Sequence, residues 1–78
     1  MEEPLIRDLK GAGFPQIHER TPTLAELIEA CGANFFELTR YHGGWAAVST
    51  NPTLEGHGRT HEEAVARLWV ALQKSHSR

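Results

Sequence analysis

Leu54-Glu55-Gly56-His57-Gly58-Arg59-Thr60-His61-Glu62-Glu63-Ala64-Val65-Ala66-Arg67-Leu68-Trp69-Val70-Ala71-Leu72 is the stretch that decides the fold. It opens as a short strand, turns at Gly56-His57-Gly58, and becomes a helix from Thr60 onward. Thr60 and Glu63 have the T-x-x-E spacing of a capping box, in which side-chain oxygens satisfy N–H groups that the first turn leaves unpaired. Glu62 and Glu63 sit at the positive end of the helix dipole, and Lys74 lies near the negative end. Val65, Leu68, Trp69 and Leu72 recur at helical spacing and predict one buried face. Glu63 and Arg67, one helical turn apart, are placed to pair on the outer face. Ser75 to Arg78 should fray.

Upstream, Thr23 and Glu26 repeat the capping-box spacing after Pro22, which suits a first helical position. Leu24, Leu27, Ile28 and Cys31 then form an apolar stripe, and Gly32 supplies a helix end. Glu26 and Glu29 fall toward water. Phe35 to Tyr41 reads as a strand, His42-Gly43-Gly44 as a turn, and Trp45 to Thr50 as the returning strand, broken at Asn51-Pro52. A third strand is expected around Thr53 to His57. A loop over 42–44 would pair Tyr41 with Trp45 and Leu38 with Val48. Phe36, Leu38, Ala46 and Val48 would then face the helices. Phe35, Glu37, Thr39, Tyr41, Trp45, Ala47 and Ser49 would face outward. A loop one residue shorter exchanges the faces of one strand; the longer loop is preferred because it separates Glu37 and Thr39 from the aliphatic side.

Residues 1–20 read as an N-terminal arm in which Leu5, Ile6 and Leu9 make one helical turn or a short extended piece, stopped by Gly11, Gly13 and Pro15. Residues 21–78 form one small domain. The expected class is α+β, in the order α-β-β-β-α, with a three-stranded antiparallel sheet and two helices on one of its faces.

At 78 residues there is room for one domain, and 40% hydrophobic with 23% charged residues is a globular rather than a disordered composition. A core this small leaves room for stabilisation by a partner or a second copy. Ten Asp and Glu against eight Lys and Arg give a net charge of −2, without the positive excess of a dedicated nucleic-acid binder. The single cysteine, Cys31, precludes an internal disulfide and fits a reducing compartment. Met1-Glu2-Glu3-Pro4 is unlike a signal peptide, and no apolar run approaches a membrane span, so the cytoplasm is the expected location.

The α-β-β-β-α order, together with Gly56-His57-Gly58-Arg59-Thr60 before the last helix, resembles the double-stranded-RNA-binding domain. That family continues with lysines that hold phosphates; here His61-Glu62-Glu63-Ala64-Val65 puts carboxylates in their place, so the resemblance implies the fold rather than the ligand. From Trp45 to Gln73 the chain is similar to HicB-type antitoxins, through Pro52-Thr53-Leu54-Glu55-Gly56 and Gly58-Arg59-Thr60-His61-Glu62-Glu63-Ala64. It departs from them in a shorter spacing between the two motifs and an extra helix before the first strand. Leu24 to Gly32 with Glu62 to Leu72 looks like the helix pair of small phage and prophage accessory proteins. These resemblances imply a protein that binds and blocks a host or rival protein.

His57 and His61, with Cys31, lack the shared helical face that zinc ligation would need, and no metal is expected. Glu62-Glu63 point in different directions and are accounted for by capping. Cys31 lies in an apolar stripe, and no nucleophile, base and orienting group stand together, so the chain reads as a non-enzyme without a cofactor. The N–H groups of Thr60 to Glu63 beside Arg59 form an anion site only in competition with the two glutamates. The uncovered sheet face is the strongest candidate, with Phe35, Glu37, Tyr41 and Trp45 binding a protein partner, a second copy included. Against this, Leu5, Ile6 and Phe14 of the arm would cover the same aromatics. The alternative is a nucleic-acid surface of Arg40, Arg59, Arg67 and Lys74; Trp69 is read as core.

Overall fold

The structure, a computed structural model, describes residues 3–14, 22–50 and 53–76. The helix expected after Thr60 runs His61–His76 and forms the centre of the molecule, α3. Its start uses both halves of the box in altered form. The Thr60 hydroxyl accepts the N–H of Glu63 at 3.2 Å, while the Glu63 carboxylate reaches back to the N–H of Arg59 at 3.1 Å, one residue beyond the usual position. Glu63 is consequently buried, and the outer-face pair with Arg67 does not form; the Arg67 guanidinium donates to the carbonyl of His57 at 2.6 Å. Val65, Leu68, Trp69 and Leu72 are buried as expected, and so are Ala64, Ala66 and Val70, because α3 is covered from more than one side.

Part of that cover comes from the N-terminal segment. Instead of one turn, Glu3–Gly11 is a helix of nine residues, α1, with Leu5 and Leu9 buried in the same core as α3. Gly13, at φ +86°, ends it in a Schellman arrangement: the N–H of Phe14 reaches the carbonyl of Leu9 at 2.9 Å, and that of Gly13 reaches Lys10 at 3.1 Å. Phe14 then meets Trp69 edge-to-face at 5.0 Å. The arm segment therefore covers α3 and not the sheet aromatics. A helix this short is marginal alone; its packing on α3 stabilises it. The expected stop at Pro15, the remainder of the arm, the break at Asn51-Pro52, and Ser77 with Arg78 lie outside the described residues.

Leu24–Cys31 forms α2, continued by a 3-10 turn over Gly32–Asn34. Both bonds of its capping box are present, Thr23 N–H to the Glu26 carboxylate at 2.8 Å and Glu26 N–H to the Thr23 hydroxyl at 3.2 Å. Thr23 is the cap, so Pro22 precedes the helix and does not open it; Pro22 and Leu27, at the positions of a hydrophobic staple, are both fully buried. Gly32 closes α2 at φ +64°. The stripe of Leu27 and Cys31 packs α2 against α3.

Phe35–Tyr41, Gly44–Ser49 and Glu55–Gly58 are β1, β2 and β3, an antiparallel sheet in the order β1-β2-β3. The third strand thus starts two residues later than expected. The β1–β2 loop is the shorter one: His42 at φ +46° and Gly43 at φ +79° form a two-residue turn of the primed kind, closed by Tyr41 opposite Gly44. Gly44 belongs to the strand, because a Cβ there would stand 2.5 Å from the carbonyl oxygen of Gly58. Leu38 pairs with Ala47, Arg40 with Trp45 and Thr39 with Ala46, which exchanges the faces of β2 relative to the expected register.

The helix side of the sheet therefore carries Leu38, Arg40, Trp45, Ala47, Ser49, Gly56 and Gly58. Close approach of α3 is the physical reason. A Cβ at Gly56 would lie 2.3 Å from the backbone N of Leu68, so this layer takes only small groups, and Ala47 fits where Val48 would not. Buried Ser49 is satisfied by accepting the Leu54 N–H at 3.1 Å. A bulge between Phe35 and Glu37 turns Phe35 toward the core and leaves Phe36 exposed, the reverse of the expected pair. Among the described residues, no helix is long and apolar enough to cross a membrane.

Candidate functional site

The face of the sheet opposite α3 bears Glu37, Thr39 and Tyr41 from β1, Ala46 and Val48 from β2, and Glu55 and His57 from β3. Tyr41 leans across Gly44, which has no side chain, to bring its ring 4.9 Å from that of His57; on its other side His42 stands edge-on at 4.4 Å. His57 Nε2 is 2.9 Å from the Glu55 carboxylate. Ala46, between Thr39 and His57, is buried although it faces outward. Tyr41 itself remains 49% exposed and Phe36, at the bulge, 61%. Glu37, Thr39 and Glu55 are exposed, and no lysine or arginine belongs to this face.

Of the four residues expected to bind a partner, Glu37 and Tyr41 lie on this open face. Phe35 is half-buried against the core. Trp45 is on the helix side, its ring 3.9 Å from that of His61 and the Arg40 guanidinium 5.4 Å from its centroid. Tyr41 and Trp45 thus point to opposite faces of the sheet, and Phe35 shares the core side with Trp45. Phe36, Val48, Glu55 and His57 were missed. For Val48 the signal is His42-Gly43, a dipeptide able to hold a two-residue turn; the bulge that exposes Phe36 and the β2–β3 pairing that places Glu55 and His57 have no such local mark.

Of the expected phosphate-binding cations, Arg67 lines one depression with Arg59 and another with Lys74, and Arg40 stands apart. Arg59 and Arg67 line an open depression of about 530 Å³ at the hairpin end, with Tyr41, His42, His57 and the carboxylate-bearing Glu63. Arg40 is engaged with Trp45, and Lys74 lies further along α3 beside Pro4, Leu5 and Asp8. His57 is held on the open face by Glu55, His61 lies against Trp45, and Cys31 is buried. Among the described residues no three potential ligands gather as a metal site. Burial pushes the Cys31 thiol up to about 11, which keeps it protonated and unreactive at neutral pH.

No protein-family model, curated protein or solved structure matches this chain.

Proposed function

We propose that this chain is a non-enzymatic protein-binding module. It presents its open sheet face to a partner with a basic, apolar surface and acts by covering that surface. The observation that carries the reading is charge segregation. On the open face the carboxylates of Glu37 and Glu55 stand on either side of Val48, and the half-exposed Tyr41 lies further along β1 on the same face, while among the described residues every lysine and arginine near the sheet is on the helix side or at the hairpin end. An aromatic ring of this kind supplies an anchor, and carboxylates on the same face favour a cationic surface on the partner. An inhibitor of phage or mobile-element origin, of the antitoxin kind that the C-terminal half resembles, is the specific form of this reading; its target would be the basic working surface of a larger protein.

Double-stranded RNA is the alternative ligand, favoured by the shared placement of Arg59 and Arg67 at the depression and opposed by Glu63 in the same lining. Affinity capture from bacterial lysate, with and without nuclease, separates the two. The protein so identified is then purified and titrated against the wild type, Tyr41→Ala and Glu37→Lys/Glu55→Lys. Nuclease-resistant capture and at least a tenfold affinity loss in both variants, about 1.4 kcal/mol, would support the open-face reading, provided melting temperatures are unchanged. Capture abolished by nuclease, or variants that bind like the wild type, would refute it.

A further inference from the structure

The outer edge of β1 has a composition that fits a second copy of itself. β1 ends the sheet, and Tyr41 opposite Gly44 closes a two-residue loop, so that pair is hydrogen-bonded. Counting back by alternation, Tyr41, Thr39 and Glu37 bond to β2, while Leu38 and Arg40 direct their N–H and C=O groups away from the sheet. Among the described residues, no other segment takes up those groups. The opposite edge, β3, is four residues long with two glycines packed under α3. Free edges are commonly guarded by lysine, proline or shortness. β1 has seven residues with neither lysine nor proline, and among the described residues it carries both exposed large apolar side chains, Phe36 and Tyr41.

We propose that β1 pairs antiparallel with β1 of a second copy, centred so that Thr39 of one copy faces Thr39 of the other. Facing residues on an antiparallel pair must both point toward the partner or both point away, so the two-fold axis has to pass through a residue. Centring on Glu37 opposes two carboxylates, and centring on Arg40 opposes two guanidinium groups; like charges directly opposite are unfavourable. Centring on Leu38 brings Phe35 opposite Tyr41 and runs the ladder across the bulge between Phe35 and Glu37. Centring on Thr39 uses only the straight segment 37–41. There each Glu37 faces a Tyr41, whose hydroxyl can donate to the carboxylate, and each Leu38 lies along the stem of an Arg40. The Leu38–Arg40 pairs are the hydrogen-bonded ones, so the backbone groups left open at the edge are taken up.

With the axis perpendicular to the sheet, both copies keep α3 on the same side, and the two open faces become one continuous surface. This goes beyond the binding reading above, which a single copy would satisfy equally, and it is tested on the purified protein without any partner. The assays are sedimentation equilibrium from about 1 to about 500 μM, a range in which mass action exposes a weak dimer, and oxidative cross-linking of Thr39→Cys and Glu37→Cys. Facing Cα atoms in a non-hydrogen-bonded pair are about 4.5 Å apart, within disulfide reach. Cys31 is buried, so the wild type serves as the uncross-linked control. The expected result is a mass that doubles toward the top of the range, a Thr39→Glu variant of single-chain mass throughout with unchanged melting, and a linked dimer from Thr39→Cys but not Glu37→Cys. A wild type of single-chain mass at the highest concentration, a dimer that survives Thr39→Glu, or linkage at Glu37→Cys in place of Thr39→Cys would overturn the proposal.

Discussion

Gly56→Ala tests the central contact of the fold. The added Cβ would stand 2.3 Å from the backbone N of Leu68, 2.4 Å from the carbonyl oxygen of Ala64 and 2.8 Å from the Leu68 Cα. All three are backbone atoms of α3, so no side chain can rotate away. Ordinary contact requires about 3.5 Å, so helix and strand must separate by roughly 1 Å along a layer in which Ala47, Ala64 and Leu68 are fully buried. Overpacking of this kind costs typically 1–3 kcal/mol, and rigid backbone on the receiving side puts Gly56 at the top of that range, about 3 kcal/mol. For a domain of this size that corresponds to a fall in melting temperature on the order of 12–24 °C. Thermal and urea unfolding followed by circular dichroism would measure it, with Gly11→Ala as the matched control. Nothing lies within 4 Å of a Cβ at Gly11, inside α1, so alanine there should be neutral or stabilising by about 0.5–1 kcal/mol. A Gly56→Ala variant melting within about 2 °C of the wild type would refute the close approach of α3 to β3, because even 1 kcal/mol moves the midpoint further.

Trp45→Ala should destabilise by about 2 kcal/mol, a discounted large-to-small loss for a half-buried ring, and leave open-face binding unchanged; denaturant titration beside a binding assay reads both. Thr23→Ala removes the hydroxyl that accepts the Glu26 N–H and should cost about 1 kcal/mol, measured by urea unfolding. The Cys31 thiol ionises at 9.0 unperturbed and at about 11 when folded. Its contribution is therefore complete below pH 9 and is lost as pH rises toward 11, where the unfolded chain releases the proton first. Over that window the wild type should lose about 2–3 kcal/mol more than Cys31→Ala, read from paired unfolding curves; equal slopes would place the thiol in water.

Local rules were legible wherever the chain satisfies itself over a few residues. Thr23 with Glu26, Thr60 with Glu63, and the glycine at the end of α2 identified two helix starts and one helix end, because capping joins groups three or four residues apart. The strand at β1 was equally readable, and the inward Leu38 with outward Glu37, Thr39 and Tyr41 followed from alternation. The hairpin register was not. Three successive residues, His42, Gly43 and Gly44, tolerate turn conformations, so the local chain accepts either loop; the choice lay in the close approach of α3 to the sheet, which leaves room for Ala47 and not for Val48 on that side. That one-residue difference sent Trp45 to the helix side and so removed it from the candidate binding surface.

The order of elements from α2 to α3, the helix caps and the burial of the α3 stripe are written in the chain, since these follow from propensity, capping and periodicity within single segments. The faces of β2, the helicity of Glu3–Gly11 and the inward turn of Glu63 were settled by packing between elements. Each of these depends on how near α3 comes to a neighbour. A nine-residue helix, a two-residue loop and a buried carboxylate are all marginal locally, and packing against α3 tips each one.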